Sequence, residues 1–217
     1  MMQRSLEMDS ITAQEDGSKM IQVSAIVCHH VGRDLLLRTI RSLKCQRNVD
    51  LDIIVVTSDP TLRLMGVRVV LLDAGPAEKR NFGVRFAQSH KYIAFFDDDI
   101  EATPTCVYEM ADFLEKHPIC GMVFGKLLNM EYRNRFDEAG SYLTSTGFLL
   151  ARAGIEKEDH GQFNTPVPIL AGKSASCMIT RKAFGDAGFF DKDFYILGEE
   201  TDLAWRVWLK GYQVWWV

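Results

Sequence analysis

The stretch YIAFFDDDIEATP, Tyr92 to Pro104, decides how the rest of the chain is read. Five mostly apolar residues run straight into three consecutive aspartates, and a short link then reaches Thr103 and Pro104. A short apolar run of this kind, rich in aromatic residues, reads as a buried strand. The segment TPTCVYEMADFLEKHP predicts a helix with Thr103 as its N-cap, Pro104 at its first position and Pro118 beyond its end. Three like charges at a strand end repel one another. Asp97, Asp98 and Asp99 are therefore either a solvated tip that caps the next helix, a task Glu101 and Thr103 already serve, or the seat of a cation. Carboxylates in that place are hard oxygen ligands suited to Mg²⁺ or Mn²⁺.

Working outward, short β-rich runs alternate with helical patterns. QVSAIVC (Gln22 to Cys28), LDIIVVT and VRVVLLD (Val67 to Asp73) read as strands. RDLLLRTIRSLKCQ puts Leu36, Ile40 and Leu43 on one helical face, and GPAEKRNFGVRFAQSH is a helix with Pro76 in its first turn. Such alternation predicts right-handed crossovers and an α/β fold around a mostly parallel central sheet flanked by helices. Ligands of such sheets bind at the carboxyl ends of the strands. That rule puts Cys28-His29-His30, Thr57-Ser58-Asp59 and Asp97 to Asp99 on one rim. His29 and His30 are adjacent on an extended segment and point to opposite sides, so at most one joins a shared site.

After Cys120 the rhythm changes. CGMVFGKLLN and ASCMIT (Ala175 to Thr180) read as strands, while Asn129 to Pro168 is irregular, polar and glycine-rich, either a substrate-facing insertion or a surface excursion. EETDLAWRVWLKGYQ is a helix closed by Gly211, and QVWWV then stops in mid-strand with no turn or cap, the pattern expected of a domain cut short.

The bulk properties narrow the function classes. A chain of 217 residues can build one sizeable α/β core. A net charge of −4 excludes a general electrostatic grip on nucleic acid, so a phosphate ligand needs a few local basic residues or a metal. The five cysteines (Cys28, Cys45, Cys106, Cys120, Cys177) include no C-x-x-C pair, which argues against a disulfide framework or structural zinc and fits a reducing cytoplasm. No apolar run reaches membrane-spanning length, and residues 1–19 read as a polar, flexible leader without a signal-peptide core.

Other candidates each carry two readings. In GEETDLAWR, Glu199, Glu200 and Asp202 either complement a helix dipole or supply a general base. In GPAEKRNFG, Lys79 and Arg80 either meet a phosphate at a helix N-terminus or form a solvated face. Lys173, in AGKSASCMIT, either contacts a substrate phosphate or lies on the surface.

Taken together, strand–helix–strand, then G-P-x-x-x-R-N-x-G, then a strand ending D-D-D, then KSASCMITRKAFGDAGFFDKDFYILGEETDLAWRVWLKGY closely resembles the nucleotide-sugar glycosyltransferases of family 2, from about Gln22 to Val217. The resemblance implies a GT-A, Rossmann-like fold over residues 20–217, with a nucleotide-binding half (20–125) and an acceptor and catalytic half (126–217). It implies that Asp99 is the direct ligand of Mn²⁺ or Mg²⁺, with Asp97 and Asp98 aiding the metal, ribose or diphosphate. Asp59 lies near the acidic position that contacts uracil and ribose, although TSDP is displaced from the usual D-N-x-S pattern. Arg80 matches the basic residue beside the nucleotide, and Lys173 joins the donor-binding set. Glu200 aligns with the catalytic base, where the family usually has Asp, and Asp202 is its rival. In many relatives a histidine just beyond the strand matching QVWWV completes the metal shell, and this sequence ends before it.

The function so implied is metal-dependent, inverting transfer of a sugar from a nucleoside diphosphate sugar to a saccharide or lipid-linked hydroxyl acceptor, in surface polysaccharide or glycolipid synthesis. A cytoplasmic location, with peripheral association at the inner face of the membrane, is compatible with it. Two rivals differ in class. A nucleotidyltransferase needs a glycine-rich loop after the first strand, where VCHHVGRD offers one glycine. A degenerate sugar-nucleotide or polysaccharide binding domain is kept open by the glutamate at the base position and the abrupt end.

Overall fold

The structure, a computed structural model, describes residues 20–30, 32–154, 157–194 and 196–217. The leader expected at residues 1–19 lies outside the described residues. The first half alternates as read: β1 (Ile21–Cys28), α1 (Arg33–Lys44), β2 (Val49–Thr57), β3 (Arg68–Leu71), α2 (Pro76–Val84), β4 (Tyr92–Asp97), α3 (Cys106–Lys116) and β5 (Cys120–Phe124). The second half begins with short strands, β6 (Leu127–Leu128), β7 (Phe136–Glu138), β8 (Ser141–Leu143), β9 (Leu149–Ala151) and β10 (Val167–Pro168). It continues with β11 (Ser176–Thr180), α4 (Arg181–Ala187), α5 (Glu199–Leu209) and β12 (Gln213–Trp216).

One eight-stranded sheet runs through both halves in the order β10-β12-β5-β11-β4-β1-β2-β3. β1 pairs in parallel with both β2 and β4, whereas β11 is antiparallel to β4 and β5. Strand order reverses at β1, and there Cys28 stands beside Asp97 in register. The crevice at this topological switch point is where open α/β sheets take their ligands.

Each face of the sheet has its own core. Val23, Ala25 and Val27 of β1 pack with Leu36, Ile40 and Leu43 of α1 and with Val107, Met110 and Leu114 of α3. Ile26 points the other way, into a cluster with Phe95, Ala77 of α2, Phe184 of α4 and Leu203 of α5. The period of two along β1 thus divides its side chains between two helical layers, which is why its run is apolar throughout.

One local expectation is corrected and one element is added. The helix expected to start at Pro104 starts at Cys106, with Thr105 as its cap residue and no side-chain cap bond. Tertiary contacts hold the preceding residues instead: the Pro104 carbonyl accepts the Arg47 N–H at 2.8 Å, and the Thr103 carbonyl accepts the Gln46 side-chain amide at 2.7 Å. The second finding is α4, which the sequence reading passed over. It is a short helix capped by Thr180, whose Oγ1 accepts the Ala183 N–H at 3.1 Å, and closed by Gly188 at φ 85°.

Candidate active site

The rim expected from the strand ends forms. The His29 Nδ1 and Thr57 Oγ1 atoms are 2.8 Å apart, joining the ends of β1 and β2. The His30 N–H donates to Asp98 Oδ2 at 2.7 Å, joining β1 to the aspartates after β4. Lys79 of α2 is buried, and its Nζ donates to the His29 carbonyl at 2.9 Å.

The three aspartates divide. Asp98 turns inward and is buried, while Asp97 and Asp99 line a cleft of about 540 Å³. Burial, followed by the charges of Asp97 and Asp98, raises the Asp99 carboxyl above its ordinary pKa. Lys173 and Lys126 line the same cleft, each matched to an acid: Lys173 Nζ reaches Asp137 Oδ2 at 2.8 Å, and Lys126 pairs with Asp159. Asn129, Met130 and Arg133, from the start of the irregular stretch, form part of its wall.

Beneath the rim lies a buried ion-pair bridge. Arg80 of α2 is 2% exposed; its Nη2 donates to Asp97 Oδ1 and its Nη1 to Glu199 Oε1, each at 2.8 Å. Glu199 opens α5 behind Gly198, whose φ of 93° supplies the left-handed entry into the helix. The next residue, Glu200, is partly buried, and burial together with the adjacent Glu199 carboxylate pushes its carboxyl up to about 7.

The structure therefore brings Asp97, Asp99 and Lys173 to one cleft and ties Glu199, beside Glu200, to Asp97 through Arg80. Asp59 and Asp202 are engaged elsewhere. Asp59 Oδ1 accepts from both the N–H and the Oγ1 of Thr61 at 2.7 Å, which holds its carboxyl below the ordinary pKa. Asp202 Oδ2 pairs with Arg206 at 2.5 Å, and Arg206 also donates to the Ala187 carbonyl, so this acid braces α5 against α4. Glu199 and Lys79 take part in ways sequence reading missed. A Lys-Arg pair beside Pro76 looks like a solvated face, and only the fold shows both cations buried against partners far along the chain.

The carboxylates fit part of a hard-cation site. Asp97 and Asp99 bring oxygen ligands to the cleft, and the mutual repulsion of the three aspartates, which adds to burial in raising the Asp99 pKa, is the kind a divalent ion relieves. Among the described residues no group of three or more His, Cys, Asp or Glu side chains is placed to hold a metal, so diphosphate oxygens and water would supply the remaining ligands.

Residues 24–184, three-quarters of the chain, match the family described as glycosyl transferase family 2. The chain belongs to glycosyltransferase family 2. Comparison with curated protein sequences finds no match. Solved structures show that this family 2 chain has the GT-A fold. GalNAc-T7, crystallised with UDP, GalNAc and Mn²⁺, superposes with a TM-score of 0.71 at 14% identity, over 92% of this chain and 43% of that one. TarS of S. aureus superposes at 0.64 with 15% identity, over 91% of this chain and 35% of its own. TarS 1-349 gives 0.63 with 16% identity, over 91% and 58%. The family 2 chain thus spans less than two-thirds of each of these structures. Among its described residues no helix is long and apolar enough to cross a membrane.

Proposed function

We propose that this family 2 domain transfers a sugar from a nucleoside diphosphate donor to a hydroxyl group of a saccharide or lipid-linked acceptor in a single inverting displacement. The observation that carries the proposal is the Arg80 bridge, which ties the base-bearing end of α5 to the aspartates of β4. Asp99 and Asp97 would hold Mn²⁺ or Mg²⁺ in this reading. The ion, when bound, offsets the charge of the diphosphate and stabilises it as a leaving group. Asp98 fixes the loop after β1 through His30, and Lys173, which lines the same cleft, contacts the donor. Asp59 stands at the end of β2 on the nucleotide side of the rim.

Glu200 is the general base. Its raised pKa suits it to take a proton near neutral pH, and its carboxylate receives that proton from the acceptor hydroxyl as the oxygen attacks the anomeric carbon. Asp202 is the weaker candidate because Arg206 already occupies it. The crystallisation of GalNAc-T7 with UDP and Mn²⁺ supports the same donor chemistry here.

The test is a thermal-shift panel of nucleoside diphosphate sugars with and without Mn²⁺, followed by turnover of a labelled form of the best donor. Metal-dependent stabilisation and sugar release support the reading. Stabilisation without any turnover, even hydrolysis, identifies a binding domain instead.

A further inference from the structure

Two consecutive residues of α2 direct their polar groups at segments far along the chain. The Arg80 Nη1 atom reaches Glu199, 119 residues away, and Nη2 reaches Asp97. Asn81 clamps a backbone: its Nδ2 donates to the Phe190 carbonyl at 2.7 Å, and its Oδ1 accepts the Phe190 N–H at 3.0 Å. The Phe190 ring so fixed lies 5.3 Å from the Arg80 guanidinium carbon, a cation–π contact on the ion pair. One side chain therefore touches the strand of the aspartates, the helix of the base and the loop between α4 and α5.

The resemblance to the family puts Arg80 beside the nucleotide, but the geometry allows it little part in holding a diphosphate. Each Nη atom is committed to a carboxylate, and Nε is buried without a hydrogen-bond partner among the described residues. The planar fork of arginine suits such bridging of two acids, which a lysine ammonium reproduces poorly. Glu199 in turn has Oε1 on Arg80, and its carboxyl lies against that of Glu200. Its position consequently depends on the guanidinium, and the position of Glu200, the next residue, depends on Glu199.

We propose that Arg80 is a positioning residue that acts through Glu199, setting where Glu200 stands relative to Asp97, and that it contributes little to donor affinity. The proposal rests on the reading of Glu200 as the base.

The test uses the whole chain with Arg80→Lys, Glu199→Gln and the double variant, all of which retain side-chain size and polar character. The binding probe is whichever of UDP, GDP, ADP and CDP, each with Mn²⁺, stabilises the unsubstituted chain most. Arg80→Lys is expected to leave its dissociation constant within about threefold while kcat falls about 30-fold or more and donor KM holds. The double variant should be no slower than the worse single variant by more than about threefold, because the residues act as a unit. A nucleotide affinity about tenfold or more weaker in Arg80→Lys overturns the proposal and returns Arg80 to the nucleotide.

Hydrogen exchange gives a readout independent of activity. In Arg80→Lys the amides of residues 202–206, the first in α5 with helical acceptors, should exchange about tenfold faster or more, while those of α3 keep their rates. Unchanged exchange there overturns the proposal even if no nucleotide binds. Absent turnover in the unsubstituted chain, combined with faster exchange in Arg80→Lys, sinks the enzymatic reading and leaves the mechanical link standing.

Discussion

Asp98 Oδ2 accepts the backbone N–H of His30 at 2.7 Å, so the middle member of the aspartate triplet belongs to the scaffold of the rim. Successive side chains leaving a strand point to opposite sides. Asp98 accordingly turns inward, whereas Asp97 and Asp99 reach the cleft, and Arg80 takes one oxygen of Asp97. The most available carboxylate for a cation is that of Asp99.

Replacing Asp99 with Asn should therefore abolish the metal-dependent part of donor binding. We expect nucleotide affinity in the presence of Mn²⁺ to fall about 100-fold, and affinity without the metal to change little. Calorimetric titration with and without Mn²⁺ measures both. Unchanged metal-dependent affinity would remove Asp99 from the site.

Glu200 predicts a pH profile. A base must be ionised to act, so kcat/KM should climb through about pH 7 as Glu200 loses its proton. Glu200→Gln should lower kcat by about 10²–10⁴-fold and abolish that limb. Stability runs the other way. Between its ordinary range and about 7 the folded chain holds a proton that the unfolded chain has released, so this group makes stability fall as pH rises across that window. Glu200→Gln should thus stabilise the fold by about 1–3 kcal/mol near pH 8 and by much less near pH 4. Urea melts at the two pH values check the sign, and equal shifts would show that Glu200 carries no such strain.

The strands β1 to β5, β11 and β12 and the helices α1, α2 and α5 were legible because their apolar periods are local. By contrast β7 to β10, two or three residues each, lie in the stretch 129–168, which reads as irregular because they are too short for a period to show. The rim followed from one topological rule, since parallel strands end on the same side. What the sequence concealed were interactions settled only by packing. Lys79 and Arg80 look solvated until α2 lies on β1, and Glu199 looks like a dipole partner until Arg80 arrives from far upstream. The start of α3 was misread for the same reason: Thr103 and Pro104 have good helix-start chemistry, yet Arg47 and Gln46 claim their carbonyls. α4 had a readable signal, Thr180 before it and Gly188 after it, but at seven residues it is too short for periodicity to announce.

That N-cap can be tested directly. Thr180→Ala removes the acceptor for the Ala183 N–H and should cost about 1 kcal/mol, with Thr180→Ser recovering most of it. Chemical denaturation of the three proteins measures the difference. Equal stability of the alanine and serine variants would mean the cap contributes nothing.

Gly83 carries a sharper consequence, because it lies one helical turn from Arg80 on the buried side of α2. A Cβ there would stand 2.5 Å from Ile26 Cγ2 and 2.9 Å from Val56 Cγ2, contacts that α2 can relieve only by moving off the sheet. Alanine is the better helix former by about 1 kcal/mol, but the overlap should outweigh that gain and leave Gly83→Ala about 1–3 kcal/mol less stable. Gly185 of α4 is the control: nothing lies within 4 Å of its added Cβ, so Gly185→Ala should stabilise by about 0.5–1 kcal/mol. If helix propensity alone governed both sites, the two variants would shift the denaturation midpoint in the same direction. Opposite shifts, with turnover reduced only in Gly83→Ala, would show that the close approach of α2 to β1 and β2 seats Arg80 between its two carboxylates.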